Sequence, residues 1–347
     1  MLENIVLFNF MTDKNSRFSF ALDWIEKISV NFNFVFVITL NAGEYKLPEN
    51  VKVFNLNRKK HSRLRVILRL WKTLALLHKK YHISAYFIHM AIRFTLLIFP
   101  FKLIFRPKLV IWYAHQAIPV ELIISDKLAD TAFTCTKYAY NLSNPKNLKI
   151  IGHGINMNKF TLSRRKIQKI NNIVTIGRIT SVKNLDILIN SFIELADDFP
   201  NIKLFLIGGT VRQDDKEYEI KLKKMAKDYR DRIIFIGEVK FNSIKKYYNS
   251  SDLFINLSAS SSLDKAILEA MACGIPVLST NKSAVSLFSH LYGKGFFPSS
   301  IETFSKDMRK ILTSEIKLDP EALREEILNN HSLKRLANII SSELIRR

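Results

Sequence analysis

Residues 250–280 read SSDLFINLSASSSLDKAILEAMACGIPVLST, and the order strand, loop, helix, strand within them decides the fold. Asp252 to Leu257 holds an apolar run of strand length. Ser258 to Ser262 is a polar loop. Leu263 to Ala272 is rich in helix formers, with Leu263, Ala266, Ile267, Ala270 and Met271 at helical spacing. Gly274 stops that helix and Pro276 opens the next strand, Val277-Leu278-Ser279. Such a unit belongs to a parallel sheet covered by helices.

The same stretch has the makings of a site. A serine-rich loop feeding a helix N-terminus presents backbone N–H groups to a phosphate. Glu269 lies in the following helix, where a carboxylate would accept hydrogen bonds from two adjacent hydroxyls, as a ribose offers. A solvated helix glutamate after an ordinary loop is the plainer alternative. Upstream, Ile173 to Ile176 reads as a strand. It leads into Gly177-Arg178 and then Lys183, just before a helix with Leu185, Leu188, Ile189, Phe192, Leu195 and Ala196 as its apolar stripe. Arg178 and Lys183 thus flank a strand-to-helix turn near the positive end of a helix dipole. Arginine grips two phosphate oxygens with its planar fork, and lysine supplies a compact charge.

Several runs share one resemblance. LEAMACGIPVLST resembles the donor-binding segment of family-4 glycosyltransferases, retaining enzymes of the GT-B fold. GRITSVKNLDILI is similar to the pyrophosphate clamp of that family, WYAH (ending at His115) to its sugar-contacting histidine segment, and IIGHGINMNKF to the entry of its second domain. The resemblance implies an α/β architecture of two doubly wound Rossmann-like domains facing a central cleft. It implies Arg178, Lys183 and His115 as catalytic groups, and a donor site of Glu269, Asp264, Lys265, Ser262, Leu263, Gly237 and Val239. In the family the Gly237–Val239 turn lies against the nucleotide base; a glycine required for strand exit is the alternative. His89, at the end of FIHM, is a second candidate for the acceptor or sugar. Many members read Glu-Gly-Phe-Gly where this chain reads Ser261-Ser262-Leu263-Asp264 followed by Lys265, so a serine replaces the first of two family glutamates and Glu269 matches the second.

The division expected is an acceptor-side domain over 1–155, a linker over 156–172, a nucleotide-sugar domain over 173–330, and a final helix over 331–347 that returns to the first domain. At 347 residues the chain accommodates two such domains. A hydrophobic content of 48% with mean hydropathy +0.03 excludes a disordered chain. Cys135 and Cys273 are too few and too far apart for a disulfide scaffold or a cysteine zinc site, and suit a reducing cytoplasm. The histidines show no metal-ligand spacing, and no Asp-x-Asp triplet occurs, so no metal or other cofactor is expected beyond a nucleotide diphosphate sugar as co-substrate. The first strand is followed by Met11-Thr12-Asp13-Lys14-Asn15 rather than a glycine fingerprint, which disfavours a dehydrogenase. MLENIVLFNFMTD has an acid at Glu3 and reads as a first strand rather than a signal peptide.

Charge is the unusual property: 53 Lys and Arg against 31 Asp and Glu, a net +22. Between Glu49 and Glu121 there is no acid and there are 14 basic residues. The segment 58–81 contains Leu64, Ile67, Leu68, Trp71, Leu74 and Ala75 on one helical face and Arg65, Arg69, Lys72 and Lys79 mainly on another. It reads either as a sheet-covering helix with a solvated basic back or as a contact for an anionic membrane surface, and the two readings are compatible. Residues 91–109 are strongly apolar but interrupted by Pro100 and Pro107: a buried helix pair or an interfacial segment. The function expected is transfer of a hexose-type sugar to a glycan or lipid-linked acceptor, by a chain that is cytoplasmic and peripheral to the membrane. The alternatives are a non-catalytic scaffold of transferase type and a basic nucleic-acid-binding protein. The latter lacks a recognisable DNA or RNA motif.

Overall fold

The structure is a computed structural model describing residues 2–16, 18–163, 167–313 and 318–346. The first unit comprises 1–154 together with 332–347, and the second comprises 155–331.

In chain order the first unit runs β1 (Asn4–Thr12), α1 (Phe20–Ser29), β2 (Phe34–Ala42), β3 (Val51–Asn55), α2 (Arg63–Lys80), β4 (Ile83–His89), α3 (Arg93–Phe105), β5 (Lys108–Trp112), α4 (Val120–Leu128), β6 (Thr131–Thr134) and β7 (Leu148–Ile150). Its seven strands are parallel in the order β3-β2-β1-β4-β5-β6-β7. Central strands buried on both faces need continuous apolar runs rather than alternation, as Ile5-Val6-Leu7-Phe8 shows. Read from its sequence, 131–136 would be the last strand of this domain, but β7 adds to the sheet beyond β6. Only three residues long and without a fully buried position, β7 leaves almost no hydrophobic pattern to read.

Two helices differ from the sequence reading. Pro100 does not break α3, which is continuous from Arg93 to Phe105. Proline removes one ladder bond, the one its own N–H would have given to the Leu96 carbonyl. In α2 the sheet-facing stripe is Val66, Leu70, Leu74 and Leu77, whereas Leu64, Leu68 and Trp71 are 66%, 56% and 41% exposed. Both stripes have helical spacing, so the sequence allowed either; packing against the sheet selected the first.

The second unit runs β8 (Asn172–Ile176), α5 (Leu185–Ala196), β9 (Lys203–Ile207), α6 (Gln213–Met225), β10 (Ile233–Gly237), α7 (Lys245–Asn249), β11 (Leu253–Asn256), α8 (Lys265–Ala272), β12 (Val277–Ser279), α9 (Lys282–Phe288), β13 (Phe296–Pro298), α10 (Phe304–Thr313) and α11 (Pro320–His331). Its six strands are parallel in the order β10-β9-β8-β11-β12-β13. The order reverses between β8 and β11, and a doubly wound sheet binds its ligands beyond the carboxyl ends of the strands at such a reversal. Residues 156–163, read as linker, are packed into this unit. Arg324 donates to the carbonyls of Met157 and Phe160, and the Phe160 ring meets Tyr248 edge-on at 6.0 Å. Residues 164–166 of that linker lie outside the described residues.

The chain ends in α12 (Leu333–Ile345), which belongs to the first unit and packs on α1. Glu343 ties it to the sheet, accepting from Thr131 at 2.9 Å and pairing with Lys108 at 2.8 Å and Lys149 at 2.7 Å. Burial alone would raise its carboxyl, but the three donors outweigh burial and hold the pKa at about 2. The stability this confers is present above the unfolded value near 4.5 and is lost as pH falls through about 2. Glu343→Gln is therefore expected to cost about 2 kcal/mol at neutral pH. Urea denaturation of both proteins should show the gap closing as the pH approaches 2; a gap that does not change with pH would show that the ion pairs contribute nothing.

Candidate active site

Three strand ends are stitched together on the β8 side of the reversal. Gly177 donates to Ile207, Ile179 to Gly209 and Gly208 to Gly237, all within 3.0 Å. The backbones approach so closely that a Cβ on Gly208 would lie 1.7 Å from the Gly177 carbonyl oxygen, so only glycine fits. The loop after β8 is joined to the loop after β11: Ala259 N–H donates to the Val182 carbonyl, and the Asn184 side chain donates to the Leu257 carbonyl at 3.0 Å. Asn184 turns the chain into α5 with a left-handed φ of 49°, a conformation asparagine tolerates better than most residues.

The serine loop is held from one side. Asn281 donates to the carbonyls of Ser260 and Ser262, and the Ser283 hydroxyl donates to the carbonyl of Ser261. A trans peptide sets its N–H opposite its C=O, so the Leu263 N–H turns to the other side, while the Ser262 N–H donates to the Ser260 Oγ at 3.2 Å. The Ser262 hydroxyl oxygen is buried without a hydrogen-bond partner among the described residues.

The structure corrects the sequence reading of the helix start. The helix begins at Lys265, not Leu263, and its first turn is capped by Asp264, whose carboxylate accepts from the Ala266 N–H at 3.3 Å. A carboxylate therefore already occupies that helix end, and the Leu263 N–H just before it, rather than the helix terminus, is what the loop offers an anion. The same carboxylate pairs with Lys183 and accepts from Asn256 at 2.9 Å. Burial would raise the Asp264 pKa, but Lys183, Asn256 and the Ala266 N–H outweigh it and hold it low. Asn256 was not found from the sequence, although a polar residue ending the buried run LFIN was a signal.

Glu269 is 5% exposed, and its Oε2 accepts from the Tyr248 hydroxyl at 2.9 Å. Burial pushes its carboxyl up to about 7, against the opposing charge of Lys265 and the Tyr248 hydrogen bond. Tyr248 left no sequence signal. Arg178 is exposed and donates no hydrogen bond to a described residue. The Arg212 N–H above all, then the Thr180 hydroxyl and the Val211 N–H, and last the Arg178 charge, keep Asp215 below the usual carboxylate range.

Of the residues singled out, the structure brings Lys183, Ser262, Leu263, Asp264, Lys265 and Glu269 to the two loops at the reversal and the helix after them, with Arg178 at the exit of β8. Leu263 is buried. Gly237, with φ 80°, reaches this group through Gly208, and Val239 is half-buried two residues beyond. His115 and His89 belong to the other unit. His115 is exposed just past β5, and its Nδ1 accepts from the Ala117 N–H at 3.0 Å. In the neutral ring that leaves the proton on Nε2, free to donate outward. His89 is 6% exposed and stacks on Trp24 at 4.4 Å, with Phe20 edge-on at 6.0 Å. It sits in an aromatic wall rather than at a surface a sugar would meet.

Residues 159–330 match the family described as Glycosyl transferases group 1. A protein of Haemophilus influenzae described as an uncharacterized glycosyltransferase is 32% identical over 126 residues, which are 35% of this chain and 33% of that relative. The alignment thus spans about a third of the relative's length. Among solved structures, a sucrose-phosphate synthase from Thermosynechococcus elongatus superposes with a TM-score of 0.75 at 14% identity, covering 98% of both chains. The Anabaena protein HepE, solved in complex with UDP and glucose, gives 0.71 at 17% identity and 99% coverage of both. Both parallel sheets of this chain match those of the GT-B fold.

Proposed function

We propose that this chain, which carries a glycosyl transferases group 1 domain over residues 159–330 on a GT-B fold, is a retaining, metal-independent hexosyltransferase of family 4. The donor is a nucleotide diphosphate sugar, and the acceptor is a glycan or a lipid-linked glycan on the cytoplasmic side. The observation that supports this reading is that Arg178 and Lys183 line one small cavity at the exit of β8, in a loop joined to the loop after β11 at the strand-order reversal.

In the transfer, the acceptor hydroxyl oxygen bonds to the anomeric carbon. The bond from that carbon to the diphosphate oxygen breaks, and its electron pair leaves with the nucleotide diphosphate, which also takes up the acceptor proton. The charge that develops on the leaving oxygen is what the protein must stabilise. Lys183 and Arg178 do so by direct charge, and the Leu263 N–H by its oriented dipole. Glu269 accepts from the ribose hydroxyls.

A non-catalytic relative is the second reading. Ser261 stands where the family carries its first glutamate, and Asp264 is paired with Lys183. Thermal melting with UDP-, GDP- and ADP-sugars, followed by an assay of donor breakdown and transfer, separates the two. One nucleotide class should raise the melting point, since a ligand of the native state at a hundredfold its Kd adds about 3 kcal/mol. Breakdown of that donor supports the enzyme. Stabilisation without any turnover supports the scaffold, and no stabilisation by any donor defeats both.

A further inference from the structure

Helices α2 and α3 lie side by side in the first unit. The Trp71 indole N–H of α2 donates to the Leu97 carbonyl of α3 at 2.8 Å, and His78 stacks on Phe105 at 3.9 Å. Beside this seam the two helices expose apolar side chains that no described residue covers. Leu64 and Leu68 on α2 are 66% and 56% exposed, and Leu103 and Ile104 on the last turn of α3 are 61% and 72% exposed. All four lie within the acid-free stretch; Leu64 and Leu68 share α2 with exposed Arg65 and Lys72, and Phe105, next to Ile104, stacks on His78, which precedes exposed Lys79. Isolated exposed leucines are ordinary, whereas an apolar strip bordered by one sign of charge marks an interaction surface.

The charge selects the occupant. A second copy would bring the same cations against each other, which costs affinity. Nucleic acid would satisfy the cations and leave the leucine and isoleucine side chains facing sugar and phosphate. An anionic bilayer satisfies both, with headgroups for the cations and the acyl boundary for the apolar strip. No helix among the described residues is long and apolar enough to cross a membrane, so the contact is interfacial. We propose that the joined outer face of α2 and α3 is a docking surface for an anionic lipid bilayer, with Leu103 and Ile104 entering the acyl boundary. This extends the contact beyond the basic segment 58–81 and gives its apolar part to α3. It stands independently of the transfer reading.

The test is co-sedimentation of the whole chain, at ~150 mM salt, with vesicles of equal parts phosphatidylcholine and phosphatidylglycerol, against phosphatidylcholine alone. Wild type should bind the anionic vesicles. Trp24 and Trp112 are buried and Trp71 is 41% exposed, so a blue shift of tryptophan emission on binding reports this face. Arg65→Glu/Lys72→Glu/Lys79→Glu should lower partitioning on the order of a hundredfold or more. Leu103→Asp/Ile104→Asp should lower it by at least about tenfold. Unchanged melting curves would show that both variants fold. The proposal is overturned if wild type ignores anionic vesicles. It is overturned equally if the α3 variant binds as wild type does, which would leave only adsorption by charge, or if Leu103→Asp/Ile104→Asp abolishes a lipid-free self-association.

Discussion

Lys183→Ala is expected to lower sugar transfer by ~10²–10³-fold, because it removes a cation aimed at charge that develops in the transition state. The change has a second consequence. Lys183 is the charged partner of Asp264, and both side chains are 19% exposed. Without the lysine, Asp264 keeps only the Asn256 amide and the Ala266 N–H, and a partly buried carboxylate left in that state destabilises the fold. A stability defect and a catalytic defect would then be confounded in the single variant. Lys183→Ala/Asp264→Asn separates them, since asparagine retains the capping oxygen without the charge. Melting curves of the double variant should return towards wild type while steady-state transfer stays at the level of Lys183→Ala. Recovery of transfer together with stability would show that Lys183 serves only to neutralise Asp264, and the clamp would be abandoned. Arg178→Ala takes away only the smallest of the influences that hold Asp215 low, and should lose turnover with a nearly unchanged melting point.

Glu269→Gln is expected to strengthen the fold and weaken the site together. In the native state the carboxyl keeps its proton up to about pH 7, while the ordinary value is 4.5. The native form therefore holds an extra proton between those values. The stability tied to it is whole below pH 4.5 and is lost as pH rises through 7. Glutamine resembles the protonated carboxyl at every pH and still accepts from Tyr248. The variant should match wild type near pH 4.5 and exceed it by about 3 kcal/mol above pH 8. Nucleotide binding moves the other way. A ribose diol needs an ionised acceptor for both its hydroxyls, and loss of a charge-assisted bond weakens binding by roughly tenfold to a hundredfold. Denaturation at two pH values and calorimetry with the nucleotide diphosphate measure both effects. Equal stability at pH 8 would place the proton elsewhere, and unchanged nucleotide affinity would remove the ribose contact.

The same linkage makes nucleotide affinity itself depend on pH. Binding to the ionised Glu269 releases its proton below pH 7, so the affinity of wild type should rise from pH 5.5 to 8 and level off. The glutamine variant should lack that rise.

The local pattern of the chain was enough for most of the architecture. Runs such as Ile5–Phe8 and Leu253–Asn256 are continuous and apolar because central parallel strands are buried on both faces, and that needs no knowledge of partners. The glycines at 177 and 237 could be read as strand exits, and the cations at 178 and 183 as flanking the turn between β8 and α5. The site's internal pairings were not legible. Lys183 and Asp264 are 81 residues apart, and each was read as meeting the donor; they meet each other because β8 lies beside β11 and brings their loops together. Tyr248 reaches Glu269 from a separate helix and its hydrogen bond opposes the burial that raises the carboxyl's pKa; neither is visible in a helix sequence. The choice between two apolar stripes of α2 was likewise open until a sheet lay against one of them. Sequence determines which segments form strands and helices, since those preferences act between near neighbours. Which charges neutralise one another, and which apolar faces are left exposed, depends on strand order, and only the tertiary structure decided that.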